Sequence, residues 1–423
     1  MPQADPRALS ELPDELLLEQ VQRQCFDFFW EGADAATGLA PDRRSLSDPT
    51  REVPITIGGS GFGIMCLIVA CERAWVAREA VLERLQRMLQ FLGIAPTYHG
   101  VYSHFINTRT VQTVPLFPKD DGGDLVETSF LMMGLLCARQ YFQRDTPQEW
   151  QLRLQIDDLW DRTEWSWYTR QQNETLYWHW SPNYAWDIGH AIHGWNECLI
   201  TYVLAAASRR YAIDPVVYQR GYAAGPHFLN GQSYFGIQLP LGVPGGGPLF
   251  FAHYSFCGLD PWQLRDSYAD YWQQNLAHVR INRAHCVANP LEHKGYGPNC
   301  WGLTASDDPG GYMAHAPDND NGTLSPTAAL ASFPYVPQEA MQTLRHFLRT
   351  YAEKIWRRYG FVDAFCESQD WYADTFLAID QGPIVIMIEN YRSGLLWKLF
   401  MAVPEVQAGL RRLGFASPHL SDA

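Results

Sequence analysis

The sequence is poor in charge, and basic residues are the scarcer kind. Charged side chains make up 18% of the 423 residues, with 32 Lys and Arg against 46 Asp and Glu, whereas soluble domains usually carry about 25%. The formal net charge of −14 would repel phosphate backbones and anionic lipid, because both are negatively charged. Nucleic acid and membrane surfaces are therefore not expected as partners, and a neutral, hydroxyl-rich ligand fits better.

Long apolar runs are missing as well. None reaches the roughly 18 residues that a membrane-spanning helix needs, so membrane insertion is not expected. The N-terminal stretch MPQADPRALSELPDELLLEQ lacks the basic and apolar regions of a signal peptide. The expectation is a cytoplasmic protein or one whose export signal has been removed.

Cysteine patterns give no sign of a metal or a disulfide framework. The nine cysteines are odd in number, widely spread and free of C-x-x-C pairs. Most lie in apolar contexts such as GIMCLIVAC and are predicted to be buried. No metal and no cofactor is expected.

Aromatic residues and helical periodicity are abundant instead. Phe, Trp and Tyr make up 14% of the chain, with 16 Trp. Apolar spacing and helix start and stop signals predict about twelve helices. They are predicted over residues 11–31, 59–75, 77–93, 125–144, 147–160, 187–210, 215–229, 262–277, 325–333, 337–358, 383–401 and 404–413.

The predicted helices come in pairs, with long aromatic and glycine-rich segments between them that are typical of functional loops. One segment, WSWYTRQQNETLYWHWSP, alternates Trp165, Trp167, Trp178 and Trp180 about a polar centre and predicts a β-hairpin. Six helical hairpins with their long connections on one side predict an all-α fold, an (α/α)6 barrel with a cleft among those connections. No linker divides the chain, so residues 1–423 are predicted to form one domain.

The segment DDGGDLVET, residues 120–128, concentrates carboxylates in front of an apolar run. Asp124 and Glu127 have the spacing of a helix capping box, whereas Asp120 has no capping role. A helix start that opens into a cleft would also present these carboxylates to a substrate. The alternative is the magnesium and diphosphate site of a terpenoid-type synthase, but each glycine at the centre disfavours the helix that this site needs by roughly 1 kcal/mol.

A second carboxylate lies in WDIGHAIHGWNECLITYVL, which is predicted to be helical. Glu197 stands there among apolar and aromatic residues, and burial would raise its pKa towards that of a general acid. The alternative is a structural Glu paired with His193 one turn earlier. Asp187, His190 and His193 recur every three residues, which a metal could use, although histidines beside indoles also suit a sugar cleft.

A third candidate is Asp380, directly before the predicted start of the last long helix. It either caps that helix or serves as a base beside the cleft. Glu389 and Arg392 follow on the same helix.

Isolated carboxylates with many indoles suit glycoside hydrolysis, in which an acid protonates the leaving oxygen, a carboxylate activates water and aromatic faces stack on the sugar.

Six strings of sequence carry a family resemblance. DDGGDLVETSFLMMGLL, HGWNECLITYVLAAAS, GPNCWGLTASDDPGGYMAHAP, NGTLSPTAALASFPYVP, FVDAF and AIDQGPIVIMIENYRSGLLW resemble the glucoamylase-like proteins grouped with bacterial β-1,2-glucanases, glycoside hydrolase family 144. The resemblance covers about residues 15–415. It implies an (α/α)6 barrel, metal-independent hydrolysis of β-1,2-glucan with inversion at the anomeric carbon, and a bacterial, usually periplasmic setting.

The resemblance also implies roles for single residues. Glu197 would be the general acid and Asp380 the general base, with Asp120, Asp124 and Glu127 around the central subsites. The other residues expected to bind substrate are Trp178, Trp180, His190, His193, Trp195, Asp307, Tyr312, Glu389 and Arg392.

Two further functions stay open from the sequence. A related domain of cyclic β-1,2-glucan synthases rearranges glucan chains, so a transglycosylase is one alternative. A catalytically silent sugar-binding protein would use the same cleft. The sequence does not distinguish cleavage inside the chain from release of sophorose at an end, nor does it give the oligomeric state.

Overall fold

The computed structural model describes residues 6–172 and 174–420. The predicted single domain spans residues 1–423, of which 1–5, 173 and 421–423 lie outside the described part. Within that part, no helix combines the length and the apolar character needed to cross a membrane.

Helices dominate the chain. The α-helices are α1 Pro6–Leu9, α2 Asp14–Trp30, α3 Ile57–Glu72, α4 Arg78–Ile94, α5 Leu125–Tyr141, α6 Pro147–Arg162, α7 Leu199–Ala207, α8 Tyr271–Ala288, α9 Pro326–Leu330, α10 Pro337–Thr350, α11 Ala352–Ile355, α12 Ala378–Ser393, α13 Leu395–Met401 and α14 Pro404–Leu413. A π-helix covers Val217–Tyr222, and 3-10 turns cover Trp165–Thr169, Pro244–Gly246, Leu249–Ala252, Ser255–Cys257 and Glu367–Gln369.

Short antiparallel strands lie in the connections. They are β1 Arg43–Ser45, β2 Ile55–Thr56, β3 Thr97–Tyr98, β4 Val101–Tyr102, β5 Phe105–Asn107, β6 Gln112–Val114, β7 Gly123–Asp124, β8 Leu176–Tyr177, β9 His179–Trp180, β10 Ala191–Ile192, β11 Ser233–Tyr234, β12 Ile237–Gln238, β13 Ala305–Asp308, β14 Gly311–Ala314, β15 Trp356–Arg357, β16 Gly360–Phe361, β17 Phe365–Cys366, β18 Trp371–Tyr372 and β19 Thr375–Leu377. Most pair with a neighbour in sequence, but β1 pairs with β19, β2 with β5, and β7 with β9. These three pairings join loops that are far apart in the chain.

The helices form an (α/α)6 barrel, as predicted. An inner ring runs through α3, α5 and α7 on one side and through α9 and α12 on the other, with α12 packed against α3. The 3-10 turns at 249–257 close the ring, because Ser255 Oγ accepts from Ile200 N of α7 at 3.0 Å and His253 bonds to Ser332 beyond α9 at 3.0 Å. Helices α2, α4, α6, α8 and α10 lie outside this ring.

The inner helices are apolar on all sides, as expected of buried helices. Helices α3 and α5 are buried over nearly their whole length, whereas the outer α10 and α14 each bury one stripe. The N-terminal ends of α3, α5, α7 and α12 open on the same side of the barrel. Since helix N-termini carry partial positive charge, this side of the barrel favours carboxylates.

Helices α3 and α5 touch backbone to backbone. A Cβ on Gly61 would lie 2.2 Å from Phe130 O, and one on Gly134 would lie 2.2 Å from Gly61 O. Neither partner is a flexible side chain, so the helices could accept a methyl group only by moving apart. Gly61 and Gly134 therefore set the spacing between α3 and α5.

Gly61→Ala is expected to lower the free energy of unfolding by about 2 kcal/mol, because overpacking of a tight core costs about 1 to 3 kcal/mol. Urea unfolding followed by circular dichroism measures it. Gly93→Ala on α4 is the matched control, because nothing lies within 4 Å of its Cβ position. That change should be neutral or stabilise by about 0.5 kcal/mol, and equal costs for the two variants would contradict the close packing.

Several element predictions are wrong in detail. The helix predicted over 187–210 is only Leu199–Ala207, and residues 187–198 form a loop that contains β10. The helix predicted over 262–277 begins at Tyr271, where Asp270 caps it, and ends at Ala288. The helix predicted over 215–229 is confined to its first half, which contains the short π-helix Val217–Tyr222, and residues 223–229 are not helical.

The predicted tryptophan hairpin does not form among the described residues. Trp165 and Trp167 lie in a 3-10 turn. β8 pairs with β10, and β9 pairs with β7 in front of α5. Of the four tryptophans, only Trp180 lies in a strand, and that strand pairs with β7 more than fifty residues earlier, which local alternation cannot reveal.

Candidate active site

A cavity of about 370 Å³ lies at the N-terminal ends of the inner helices. Its lining is aromatic and acidic, with a few cationic groups. The lining residues are Asp42, Arg43, Thr56, His104, Phe105, Leu116, Glu127, Phe130, Trp178, Glu197, Phe250, Tyr254, Ala305, Tyr312, Leu377 and Ile379. Apolar walls with a few polar groups are typical of ligand-binding cavities.

Asp124 caps α5, as its position before the apolar run predicts. Its Oδ1 accepts from the backbone N–H groups of Val126 at 3.0 Å and Glu127 at 2.9 Å. The other oxygen lies 3.2 Å from His104 Nδ1 and 3.5 Å from His179 Nε2. One fully buried carboxylate therefore combines a helix cap with two histidine contacts.

These contacts determine the charge states of Asp124 and His104. Burial would raise the pKa of Asp124, but the hydrogen bonds from His104 and His179 lower it below its usual range. Burial would likewise lower the pKa of His104, yet the negative charges of Glu127 and Asp124 raise it to about 10. At neutral pH, His104 is consequently a cation held between two carboxylates.

Glu127 lines the cavity and links two inner helices. Its Oε2 accepts from Gly58 N of α3 at 2.8 Å, so it does not reach back to Asp124 as a capping box would require. Burial, with Asp124 nearby, raises its pKa despite the positive charge of His104. A side chain on Gly58 would lie 2.5 Å from this carboxylate, which explains the glycine.

Asp120 lies on the same wall. It is buried, and its Oδ2 accepts from Leu116 N at 3.1 Å. Burial and the neighbouring Asp124 raise its pKa. The structure thus brings Asp120, Asp124 and Glu127 together, although only Glu127 lines the cavity.

Glu197 reaches the cavity from the turn before α7. Glu197 was predicted to lie within a helix, and that prediction is wrong. His193, the partner expected for a structural Glu197, is exposed and does not line the cavity. The Glu197 residue is 9% exposed. Burial, with Glu127 and Asp124 adding negative charge, raises its pKa to about 7. A carboxyl with that pKa can hold a proton near neutral pH and still release it.

Asp380 lies deeper than predicted. It is in the first turn of α12, which begins at Ala378, and Leu377 occupies the N-cap position, so Asp380 does not cap the helix. Its carboxyl is buried behind the cavity wall. Burial and the adjacent Asp363 raise its pKa well above the usual range.

A small charge network lies near Asp380. Arg43 donates to Asp42 at 2.9 Å and to Asp307 at 3.0 Å. Asp307 also accepts from Thr375 Oγ1 at 2.6 Å. Asp307 therefore stands beside the cavity as an ion-paired residue, and Arg43 belongs to the cavity lining itself.

Aromatic side chains line one wall and the mouth of the cavity. Trp178 lines it, and the His190 ring stacks on Trp178 with 4.9 Å between ring centroids. Tyr312, on the β13–β14 hairpin, is 54% exposed at the edge. Trp180 lies outside the lining beside His99, 5.1 Å between centroids.

Three residues that were expected to bind substrate lie away from this cavity. Trp195 is 2% exposed and packs in the core against Phe256 and Tyr271. Glu389 is buried near the C-terminal end of α12, where it accepts from Arg73 at 2.9 Å. Arg392 pairs with Glu19 at 2.8 Å, so both are at the end of α12 that faces away from the cavity.

Sequence reasoning missed several lining residues. His104, Phe250, Tyr254 and Arg43 lie in the connections between helices, where no chemical motif marks them, and their roles follow only from the folded barrel. Asp363 lies in the string FVDAF, which is part of the family resemblance, but the sequence indicated no role for this residue.

Among the described residues, no group of three or more His, Cys, Asp and Glu side chains is arranged to hold a metal ion.

Comparison with known proteins gives one family. The family model Glycoamylase, described as putative glucoamylase, matches residues 189–404. A curated relative, the exo β-1,2-glucooligosaccharide sophorohydrolase (non-reducing end) of Parabacteroides distasonis, is 45% identical over 95% of this chain. The chain spans 58% of the length of that relative.

Solved structures match over nearly the full chain. An endo-β-1,2-glucanase from Chitinophaga pinensis, in complex with sophorotriose and glucose, is 49% identical with a TM-score of 0.94 and covers 97% of this chain and 100% of its own. A protein described as a putative glucoamylase from Bacteroides uniformis is 50% identical with a TM-score of 0.94 and the same coverage.

Proposed function

The chain belongs to the Glycoamylase family, and we propose that it is a glycoside hydrolase that cleaves β-1,2-glucan. The observation that carries this proposal is Glu197, a carboxyl in an aromatic cavity whose pKa burial raises to about 7. The printed activities of the relatives from Parabacteroides distasonis and Chitinophaga pinensis support the same substrate. The uncharged, hydroxyl-rich substrate also suits the acidic chain.

In the proposed mechanism, the protonated Glu197 donates its proton to the leaving glycosidic oxygen. A second carboxyl, in its ionised form, removes a proton from the attacking water, and we assign that role to Asp380, which lies behind the wall formed by Leu377 and Ile379. Helices α7 and α12 lie on opposite sides of the inner ring. The proposed inversion requires a separation of roughly 6.5 to 9.5 Å between the two carboxyls, which leaves room for a water. The His104 cation holds Glu127 at the cavity wall, with Asp124 buried behind it.

The pH dependence of kcat follows from Glu197 as the acid. Its proton is present below about pH 7 and is lost above it, so kcat should fall about tenfold per pH unit on the alkaline side. Initial rates on linear β-1,2-glucan across the pH range measure this limb. The residual activity of Glu197→Gln should show no such alkaline fall in kcat. A wild-type kcat that stays constant well above neutral pH would contradict the role of Glu197 as the acid.

Chromatography of the products tests the proposed function. Linear β-1,2-glucan incubated with the enzyme should yield sophorose or longer sophoro-oligosaccharides, with and without EDTA, while linear β-1,3-glucan stays intact. A broad range of early product sizes would show cleavage inside the chain, and sophorose alone would show release from an end. Larger or cyclic products would favour the transglycosylase, and unchanged glucan would overturn the proposal.

The family resemblance also supports a periplasmic location in a bacterium, which we include in the proposal. Fractionation of the source cells, with activity followed in each fraction, tests it. Activity in the osmotic-shock fluid is expected, and activity confined to the cytoplasmic fraction would contradict this part alone.

A further inference from the structure

Three carboxyl oxygens in the barrel are buried without a hydrogen-bond donor among the described residues. They are Asp363 Oδ1 and both carboxyl oxygens of Asp380. Each of the two residues is 2% exposed. Buried polar atoms in proteins are almost always hydrogen-bonded, so these three atoms require an explanation.

The two carboxyls are neighbours. They lie within hydrogen-bonding range of each other, and their backbones are fixed, since Ser325 Oγ donates to Asp363 O at 2.6 Å and Thr327 Oγ1 donates to Asp380 O at 2.8 Å. The other Asp363 oxygen accepts from Asp307 N at 2.7 Å. Two carboxylates cannot donate to each other, so a bond between them forms only when one carries a proton.

The surrounding charges favour that proton. Burial and the negative charge of Asp307 raise the pKa of Asp363 to about 7, although the hydrogen bond with Asp380 lowers it. Burial, the negative charge of Asp363 and that same hydrogen bond raise the pKa of Asp380 well above its usual range. The nearby cation, Arg43, is already held by Asp42 and Asp307. The charged and titratable groups around Asp380 are Asp363, Asp307, Asp42, Arg43, Tyr254 and Tyr312.

We propose that Asp363 and Asp380 form a carboxyl pair that holds one proton between them, with Asp363 as a positioning residue that sets the proton affinity of Asp380. The catalytic part of this inference rests on the proposed function. The hydrogen bond between the two carboxyls raises the pKa of Asp380 and lowers that of Asp363, so the shared proton rests on Asp380. When substrate is bound, that proton passes to Asp363, and the ionised Asp380 takes a proton from the attacking water as the C–O bond forms. The doubly protonated pair then returns one proton to solvent after product release.

The first test needs no substrate. A carboxyl with a raised pKa stabilises the fold below its unfolded pKa of about 4, and this stabilisation is lost as pH rises through the folded value. The urea midpoint of the wild type should therefore fall between about pH 5 and pH 8. Asp363→Asn and Asp380→Asn should each show a smaller fall, because the remaining carboxyl has lost its acidic partner.

The exposed Asp374→Asn is the matched control and should behave as the wild type. An equal fall in wild type and in both pair variants would overturn the carboxyl pair. Two variants are used so that, if one of them fails to fold, the other still tests the carboxyl pair. The infrared C=O band of a protonated carboxyl provides a further measurement, and it should be weaker at neutral pH in Asp380→Asn than in Asp374→Asn. Equal bands would also count against the pair.

The second test is the acid limb of kcat/KM on linear β-1,2-glucan. In Asp363→Asn, an amide donor replaces an acidic neighbour, so the limb should move to lower pH by about one unit or more. A purely structural role would lower activity without moving the limb, and an unmoved limb would overturn the positioning role. If the wild type cleaves no glucan while the unfolding difference is present, the proposed function fails and the carboxyl pair stands.

Discussion

Glu197→Gln is expected to lower kcat on linear β-1,2-glucan by a factor of about 10² to 10⁴, the usual contribution of a general acid. Gln has nearly the same shape but no proton to donate to the leaving oxygen. The Glu197 carboxyl lies in the turn before α7 and lines the cavity, so substrate contacts of the wall should persist. KM should therefore change little while kcat collapses.

The control for this change is Glu353→Gln, an exposed glutamate that pairs with Arg7 on the outer surface. It should leave both kcat and KM as in the wild type. Circular dichroism and the urea midpoint establish that Glu197→Gln is folded. A folded variant with more than about a tenth of wild-type kcat would show that Glu197 is not the acid.

Asp124→Ala is expected to lower the free energy of unfolding by about 3 kcal/mol or more. Loss of an N-cap costs about 1 kcal/mol, and removal of one partner from a buried ion pair costs about 3 to 5 kcal/mol in other proteins. Asp124 is 0% exposed and is in contact with both His104 and His179. The lower end of the 3 to 5 kcal/mol range applies to Asp124→Ala, because Glu127 still balances the positive charge of His104.

Thr146→Ala on α6 separates the two contributions. Thr146 caps its helix through a single bond to Glu149 N at 3.3 Å and holds no buried cation. Urea unfolding of both variants at neutral pH should show a cost of about 1 kcal/mol for the threonine. If the two variants lost the same stability, the histidine contacts of Asp124 would contribute nothing.

Local rules of the chain predict part of the site well. The N-cap at Asp124 follows from an acceptor side chain placed before an apolar run, and both bonds are present. The same rules fail at Glu197, because the apolar stretch behind it is long enough for a helix that in fact begins at Leu199. Tertiary packing at the barrel centre determines that boundary, and one sequence carries no sign of it.

Burial explains the other differences. Trp195 and Trp178 look alike in sequence, yet one packs in the core and the other lines the cavity. Glu389 and Asp380 share a helix, but nine residues place them near opposite ends of it. The carboxyl pair is the clearest case, because Asp363 comes from a short strand connection that only the closed ring brings to α12.

A proton NMR time course of linear β-1,2-glucan with the wild-type enzyme tests the central claim most directly. Hydrolysis by Glu197 and a second, water-activating carboxylate predicts new reducing ends that appear first as the α-anomer and then mutarotate, since inversion converts the β-linkage. Reducing ends that appear first as the β-anomer would contradict the inverting arrangement. No new reducing ends at all would contradict glucan hydrolysis itself.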